Sequence, residues 1–211
     1  RNKVTKYDEP ANQQYQNLVN VGHPLNTHLG YVAEGFFIDW AEIENRATQQ
    51  ISGNVAPGDI KYKDIADRDG NTDGLITNND RVRMGYPTVP EIIYGFGPSI
   101  QYKNFDFGFL LQGAERTSMM LSGMHPFGTN TRKNIMQWIV DSHWSPDNQD
   151  IHADYPRLTQ TDHANNTAAS SYWLRDANFL KLKNAELGYT YKNMRLYVSG
   201  TNLLTFSKFK L

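Results

Sequence analysis

Ile92–Gln112 reads IIYGFGPSIQYKNFDFGFLLQ, and its alternation decides the fold. One face of the first half carries Ile92, Tyr94, Phe96, Pro98, Ile100 and Tyr102, the other Ile93, Gly95, Gly97, Ser99 and Gln101. Beyond Lys103-Asn104, Phe105, Phe107, Phe109 and Leu111 alternate with Asp106, Gly108, Leu110 and Gln112. Period-two alternation marks a strand with unlike faces, and a short polar pair between two such runs makes a hairpin. Each run is about the length, roughly nine to eleven residues, that crosses a bilayer when tilted. An aromatic outer face with a small or polar inner face suits a membrane barrel. A soluble sandwich alternates too, so this pattern alone leaves both open.

A second hairpin lies near the end of the chain. Phe179–Tyr191 is FLKLKNAELGYTY, Lys192-Asn193 is the turn, and Met194–Phe206, MRLYVSGTNLLTF, returns with faces that do not separate cleanly. Leu180 and Leu182 share one parity and Ala185, Leu187, Tyr189 and Tyr191 the other, which predicts a bulge near Asn184 or a misassigned face there. Tyr102-Lys103-Asn104 is echoed by Tyr191-Lys192-Asn193. The hairpins, 91–115 and 178–207, are joined by tight turns, whereas the segments 7–90 and 116–171 are long and polar. Ordinary connections run about four to six residues. Short turns alternating with long loops are the habit of outer-membrane barrels, and this asymmetry favours the membrane.

Within the first long segment, Asp69–Asp80 is DGNTDGLITNND. Asp69, Asn71, Asp73, Thr77 and Asp80 place oxygens at positions one, three, five, nine and twelve, Leu75 offers a carbonyl at seven, and Gly74 stands at six. That is the spacing of an EF-hand-like calcium loop, with Asp in place of the usual final Glu. A solvated turn rich in Asp, Asn and Gly is the plain alternative. Two helices are expected, one over Trp40–Gln50 capped by Asp39 and one over Thr131–Trp144. Arg1–Lys6 reads as the tail of a further strand.

Composition narrows the classes. Lys+Arg 21 against Asp+Glu 22 gives no basic excess for nucleic acid, and no Cys excludes disulfides and thiolate chemistry. Aromatics at 12% with only 39% hydrophobic residues fit a barrel with polar loops better than a thick core. No apolar run approaches the roughly eighteen residues of a membrane helix. The histidines, His23, His28, His125, His143, His152 and His163, show no zinc spacing. Asp147, Asp150 and Asp154 lie in a polar loop where nothing fixes a separation fit for glycoside hydrolysis. Trp138, Trp144 and Trp173 could stack on sugars, anchor loops or sit at a membrane interface.

PGDIKYKD at Pro57–Asp64, the acidic DG loop, YKNFDFGFLLQGA at Tyr102–Ala114, YWLRDANFLKLKNAELGY at Tyr172–Tyr189, VSGTNLLTFSKF at Val198–Phe209 and GYVAEGFF at Gly30–Phe37 together resemble the SusC/RagA family of TonB-dependent outer-membrane transporters. The resemblance covers nearly the whole chain but only the C-terminal part of such a barrel, without plug or first strands. It implies an all-β fold, an antiparallel transmembrane β-barrel segment of about four to five strands. Residues 7–90 and 116–171 become extracellular loops, with short helices, and both tight turns face the periplasm. It implies import of glycans or peptides, a SusD-like lipoprotein lid, TonB acting through the absent N-terminal region, lipid around the wall, and no enzymatic activity. The family's acidic stretch is usually the shorter Asp-x-Asn-Gly-Asp-Gly, whereas here Ile65–Arg68 precede the twelve-residue frame. The alternative is a soluble secreted calcium-binding β-domain for carbohydrate binding or adhesion.

Overall fold

The structure, a computed structural model, describes residues 2–10, 13–51, 54–121, 135–160 and 163–209. Asn2–Lys6 forms no strand; its Val4 is tied to Gly22 and His23 by backbone bonds of 2.9 Å each, so the expected strand tail is corrected to a loop. The first insert holds β1 (His28–Gly30), β2 (Ala33–Phe36), α1 (Trp40–Glu44), β3 (Thr48–Gln49), β4 (Ile60–Tyr62), β5 (Leu75–Ile76) and β6 (Val82–Met84). They pair as β1–β6, β2–β4 and β3–β5. Asp39 does cap α1, accepting the Glu42 N–H at 2.7 Å, while Glu42 reaches back to the Ile38 N–H at 2.8 Å. The helix ends at Glu44 rather than Gln50. Thr48 and Gln50 give their N–H groups to Gly74 and Ile76 at 2.8 and 2.9 Å, and a backbone spent on a strand cannot also be helical.

β7 (Ile92–Phe96) and β8 (Ser99–Tyr102) run along one partner, β9 (Phe105–Glu115). Gly97-Pro98 separates them, since proline has no N–H for the ladder. The second insert holds β10 (Ser118–Met120), α2 (Gln137–Asp141), α3 (Ala164–Thr167) and β11 (Leu174–Asp176). The helix expected over Thr131–Trp144 shrinks to α2, residues 131–134 lying outside the described ones. Past it, Trp144 N–H bonds the Tyr155 carbonyl at 2.9 Å and Tyr155 N–H the Ser142 carbonyl at 3.2 Å, which ends the helix. β12 (Phe179–Tyr191) and β13 (Met194–Ser207) form the last hairpin.

The main sheet runs β13-β12-β9-β7, with β8 also on β9, and every neighbour is antiparallel. Both tight turns put their lysine at positive φ, Lys103 at 52° and Lys192 at 53°, so the repeated sequence is a repeated backbone shape. The expected bulge is present. Register shifts between Leu182 and Asn184 against both β9 and β13, and β13 answers with Asn202 at φ 53°. That kink is why the faces of Met194–Phe206 do not separate by simple parity.

The apolar core lies in the inserts, not the sheet. Tyr31, Phe36, Ile60, Tyr62 and Ile76 of the first insert pack with Leu121, Ile139, Trp144, Tyr155 and Trp173 of the second. The two long segments thus fold together into one cap at one end of the sheet.

Candidate functional site

In an antiparallel pair, directly opposed residues share a face, so register assigns the faces of the wall. Tyr102, Phe105, Tyr189 and Leu196 form one row across the strands, and Ile100, Phe107, Leu187 and Val198 the next. Phe96, Leu111, Leu182 and Leu204 make a third, beyond the bulge. These side chains are packed edge to edge, Phe105 on Tyr189 at 4.7 Å between ring centroids, yet they are open to the surroundings: Leu196 is 73% and Val198 77% exposed. About 25 cal/mol per Å² opposes leaving such a band in water, so it demands a cover.

The opposite face is polar. Gln101, Asp106, Gly188 and Tyr197 form one row, and Ser99, Gly108, Glu186 and Ser199 the next. Arg195 lies across this face, bonded to both Asp106 oxygens and to Glu186 at 2.6 Å. It reaches β9 from β13 by passing over Gly188, where an added Cβ would stand 2.4 Å from the Asp106 carboxylate. Gly188 therefore makes room for an ion cluster that bridges three strands.

The cap is tied together by buried polar groups, most of which the sequence assigns to loop and one of which, Gln49, it assigns to the end of a helix. Asp59 is fully buried, pairs with the Arg157 guanidinium (Nε at 2.6 Å), and accepts hydrogen bonds from an Arg157 terminal nitrogen at 3.0 Å, Asn166 at 2.7 Å and the Ala56 N–H at 2.8 Å. Asn165 and Asn166, both fully buried, bond the Ile60 backbone, and Gln49 donates to Asn165 at 2.5 Å. The Tyr62 hydroxyl donates to the Asn165 carbonyl at 2.6 Å, and burial pushes that phenol's pKa up. An Asn pair in a polar stretch carries no periodic signal, so only the partners reveal its role.

The acidic loop does not close on the six residues of the sequence frame. Among the described residues no three Asp, Glu, His or Cys side chains converge as metal ligands. Asp69 and Asn71 are exposed, their N–H groups bonding Asp67 at 2.9 Å each. Those bonds, that of Asn71 foremost, hold Asp67 below its ordinary carboxylate range. Leu75 belongs to β5. Thr77 and the buried Asp80 make a reciprocal cap on the turn Asn78–Asp80, and Asp80 also accepts the Ile65 N–H at 2.9 Å. Asp73 accepts the Leu75 N–H at 2.9 Å. The charges of Asp80 and Asp73 act on a carboxylate outside the twelve-residue frame, Asp64. Asp64 accepts the Gly74 N–H at 2.9 Å, keeps its Oδ1 buried without a hydrogen-bond donor, and is raised above its ordinary value by burial, then by the charges of Asp80 and Asp73.

Of the three tryptophans left between sugar stacking, loop anchoring and a membrane interface, Trp144 and Trp173 are buried at 3% and 1%, and Trp138 packs on Tyr155 at 5.5 Å. Trp40, which the sequence offered only as a helix residue, is 60% exposed. His125 lies outside the described residues. No described helix is long and apolar enough to cross a membrane, which says nothing of strands.

No family model matches the chain. It is similar to a TonB-dependent receptor of Formosa agariphila, 32% identical over 186 residues, covering 83% of this chain and 18% of that protein. A second receptor of that organism is 28% identical, covering 93% of this chain and 19% of the relative. The TonB-dependent receptor SusC of Bacteroides thetaiotaomicron is 29% identical, covering 86% and 17%. The chain thus spans less than a fifth of these relatives, each named a TonB-dependent receptor. Among solved structures, the RagAB peptide importer superposes in its closed-closed state with TM-score 0.60 at 19% identity, over 98% of this chain and 22% of that one. Its open-open state gives 0.59 at 17% identity, over 96% and 21%. These structures show the shared fold, in keeping with the strands and register described above.

Proposed function

From the premise that this chain is a segment of a SusC/RagA-like TonB-dependent transporter, we propose that it forms barrel wall and outer cap in a protein importing an oligomeric nutrient, a glycan or a peptide, across a Gram-negative outer membrane. One observation carries this: a sheet with an apolar face and a polar face, neither covered, below inserts that hold the core. Lipid covers the apolar rows and the transport lumen meets the polar ones. A soluble calcium-binding domain would instead turn Phe105, Phe107 and Phe109 into its own core. The cap stands on the extracellular side, where a SusD-like lipoprotein lid would dock, and TonB would act through the N-terminal region of the parent protein. A strain deleted for the parent transporter should lose growth on one class of oligomer while keeping growth on its monomers. Unchanged growth on every oligomeric glycan and peptide source would count against import.

The acidic corner forms a second part of the proposal. The unpaired Asp64 Oδ1 and the mutual repulsion of Asp64, Asp73 and Asp80 support a calcium brace there, drawn in by a small closure of the loop. Asp64 takes the place that the twelve-residue frame gave to Asp69.

A further inference from the structure

A cavity of about 550 Å³ opens in the outer cap between the start of α1 and the turn at 143–149. Its exposed indole, Trp40, is lodged at the N-terminus of α1 and lines one side; Pro57 and Pro146 add flat apolar wall. Several polar groups in the lining are not consumed by the fold. Asp39 caps α1 with one oxygen, at 2.7 Å, and its other oxygen has no partner among the described residues. His143 bonds the Val140 carbonyl through Nδ1 at 2.5 Å, leaving Nε2 open. Gln149 is exposed and makes no hydrogen bond among the described residues. Trp144, also in the lining, keeps its Nε1 buried without an acceptor there.

We propose that this cavity is a subsite for a neutral pyranose ring of an oligosaccharide, with Trp40 as its stacking platform and Asp39, His143 and Gln149 bonding its hydroxyls. A pyranose presents a C–H face for an indole and hydroxyls that both donate and accept, which matches a wall of one aromatic and mixed donors and acceptors. A charged peptide fits less well. The one arginine of the lining, Arg157, has its Nε and one terminal nitrogen on buried Asp59, so the lining offers no uncommitted arginine to a carboxylate. The inference rests on the transport reading above and narrows it to the glycan class.

The test uses the complete transporter in detergent, titrated with linear hexasaccharides of glucose, mannose, galactose and xylose, and with an alanine–lysine hexapeptide. At least one hexasaccharide should bind, and Trp40→Ala should weaken it about tenfold and Gln149→Ala about fivefold. Ile151→Ala, exposed and outside the cavity, should leave affinity unchanged. The subsite is overturned if no hexasaccharide binds, if both cavity variants bind as the parent does, or if Trp40→Ala removes peptide binding instead. The growth experiment above is read separately. A transporter that imports an oligomer yet shows any of those three results overturns the subsite and leaves the transport reading standing.

Discussion

Val198 and Ser199 are neighbours on β13 that face opposite ways, and a charge placed at each should have very different effects. Val198 shares its row with Phe107 and Leu187, whereas Ser199 stands opposite Glu186 on the polar face. With about 3.4 Å rise and about 45° tilt, each residue advances about 2.4 Å through the bilayer. Counted from Met194 at the start of the strand, Val198 then lies about 10 Å into an apolar band about 25 Å tall. Arginine at that depth on the lipid face costs about 2–4 kcal/mol, or about 30- to 700-fold in the folding equilibrium. Ser199→Arg stays on the polar face, sharing with Arg195 the Glu186 carboxylate across the pair, and should cost under about 1 kcal/mol. The assay is the denaturant midpoint of the complete transporter in micelles, followed by the heat-dependent gel mobility of the folded barrel. Equal losses at the two positions, or a larger one at Ser199, would refute the assignment of faces.

Arg157→Met leaves the buried Asp59 charge without its cation; since Arg157 is itself partly exposed, the cost should be near the lower end of the range, about 3 kcal/mol, and appear as faster proteolysis of the cap. Gly58→Ala sets a Cβ 2.1 Å from the Trp144 ring at φ 86°, and should loosen the cap by about 1–3 kcal/mol, read as faster amide exchange around Trp144. Asp64 binds its proton more tightly in the folded cap than in the unfolded chain, so its contribution to stability is lost as pH rises from the ordinary carboxylate value, 3.8, through the raised one. Asp64→Asn should flatten that slope and stabilise the calcium-free cap at neutral pH, as judged by thermal melts across pH. In calcium titrations by calorimetry, Asp64→Asn should abolish binding and Asp69→Asn should spare it; the reverse would restore the twelve-residue frame.

The hairpins were legible because a strand with two environments must alternate, and Phe105, Phe107 and Phe109 alternate against Asp106 and Gly108 without exception. The bulge announced itself as a parity slip at Asn184. Helix α1 was legible at its start, where Asp39 is a local signal, and not at its end, where Thr48 answers to Leu75 far along the chain. The cap's core escaped because Tyr31, Tyr62 and Trp173 come from distant loops with no common period. A frame from Asp69 puts Gly74 at position six and a frame from Asp64 does not, so spacing favours Asp69; the Gly74 N–H, which bonds Asp64, is a contact that spacing does not show. Trp40 was hidden by its place in a helix, since exposure depends on what packs above it.

The account turns on which side chains of β9 touch lipid. These 211 residues hold no cysteine, so with any cysteine elsewhere in the complete transporter replaced by serine, single cysteines placed at each position from 105 to 112 can be spin-labelled after reconstitution in bilayers. Collision with oxygen should be high and with a water-soluble nickel chelate low at 105, 107, 109 and 111, and the opposite at 106, 108, 110 and 112. A profile without that alternation, or labels at the phenylalanine positions shielded from both reagents, would contradict it.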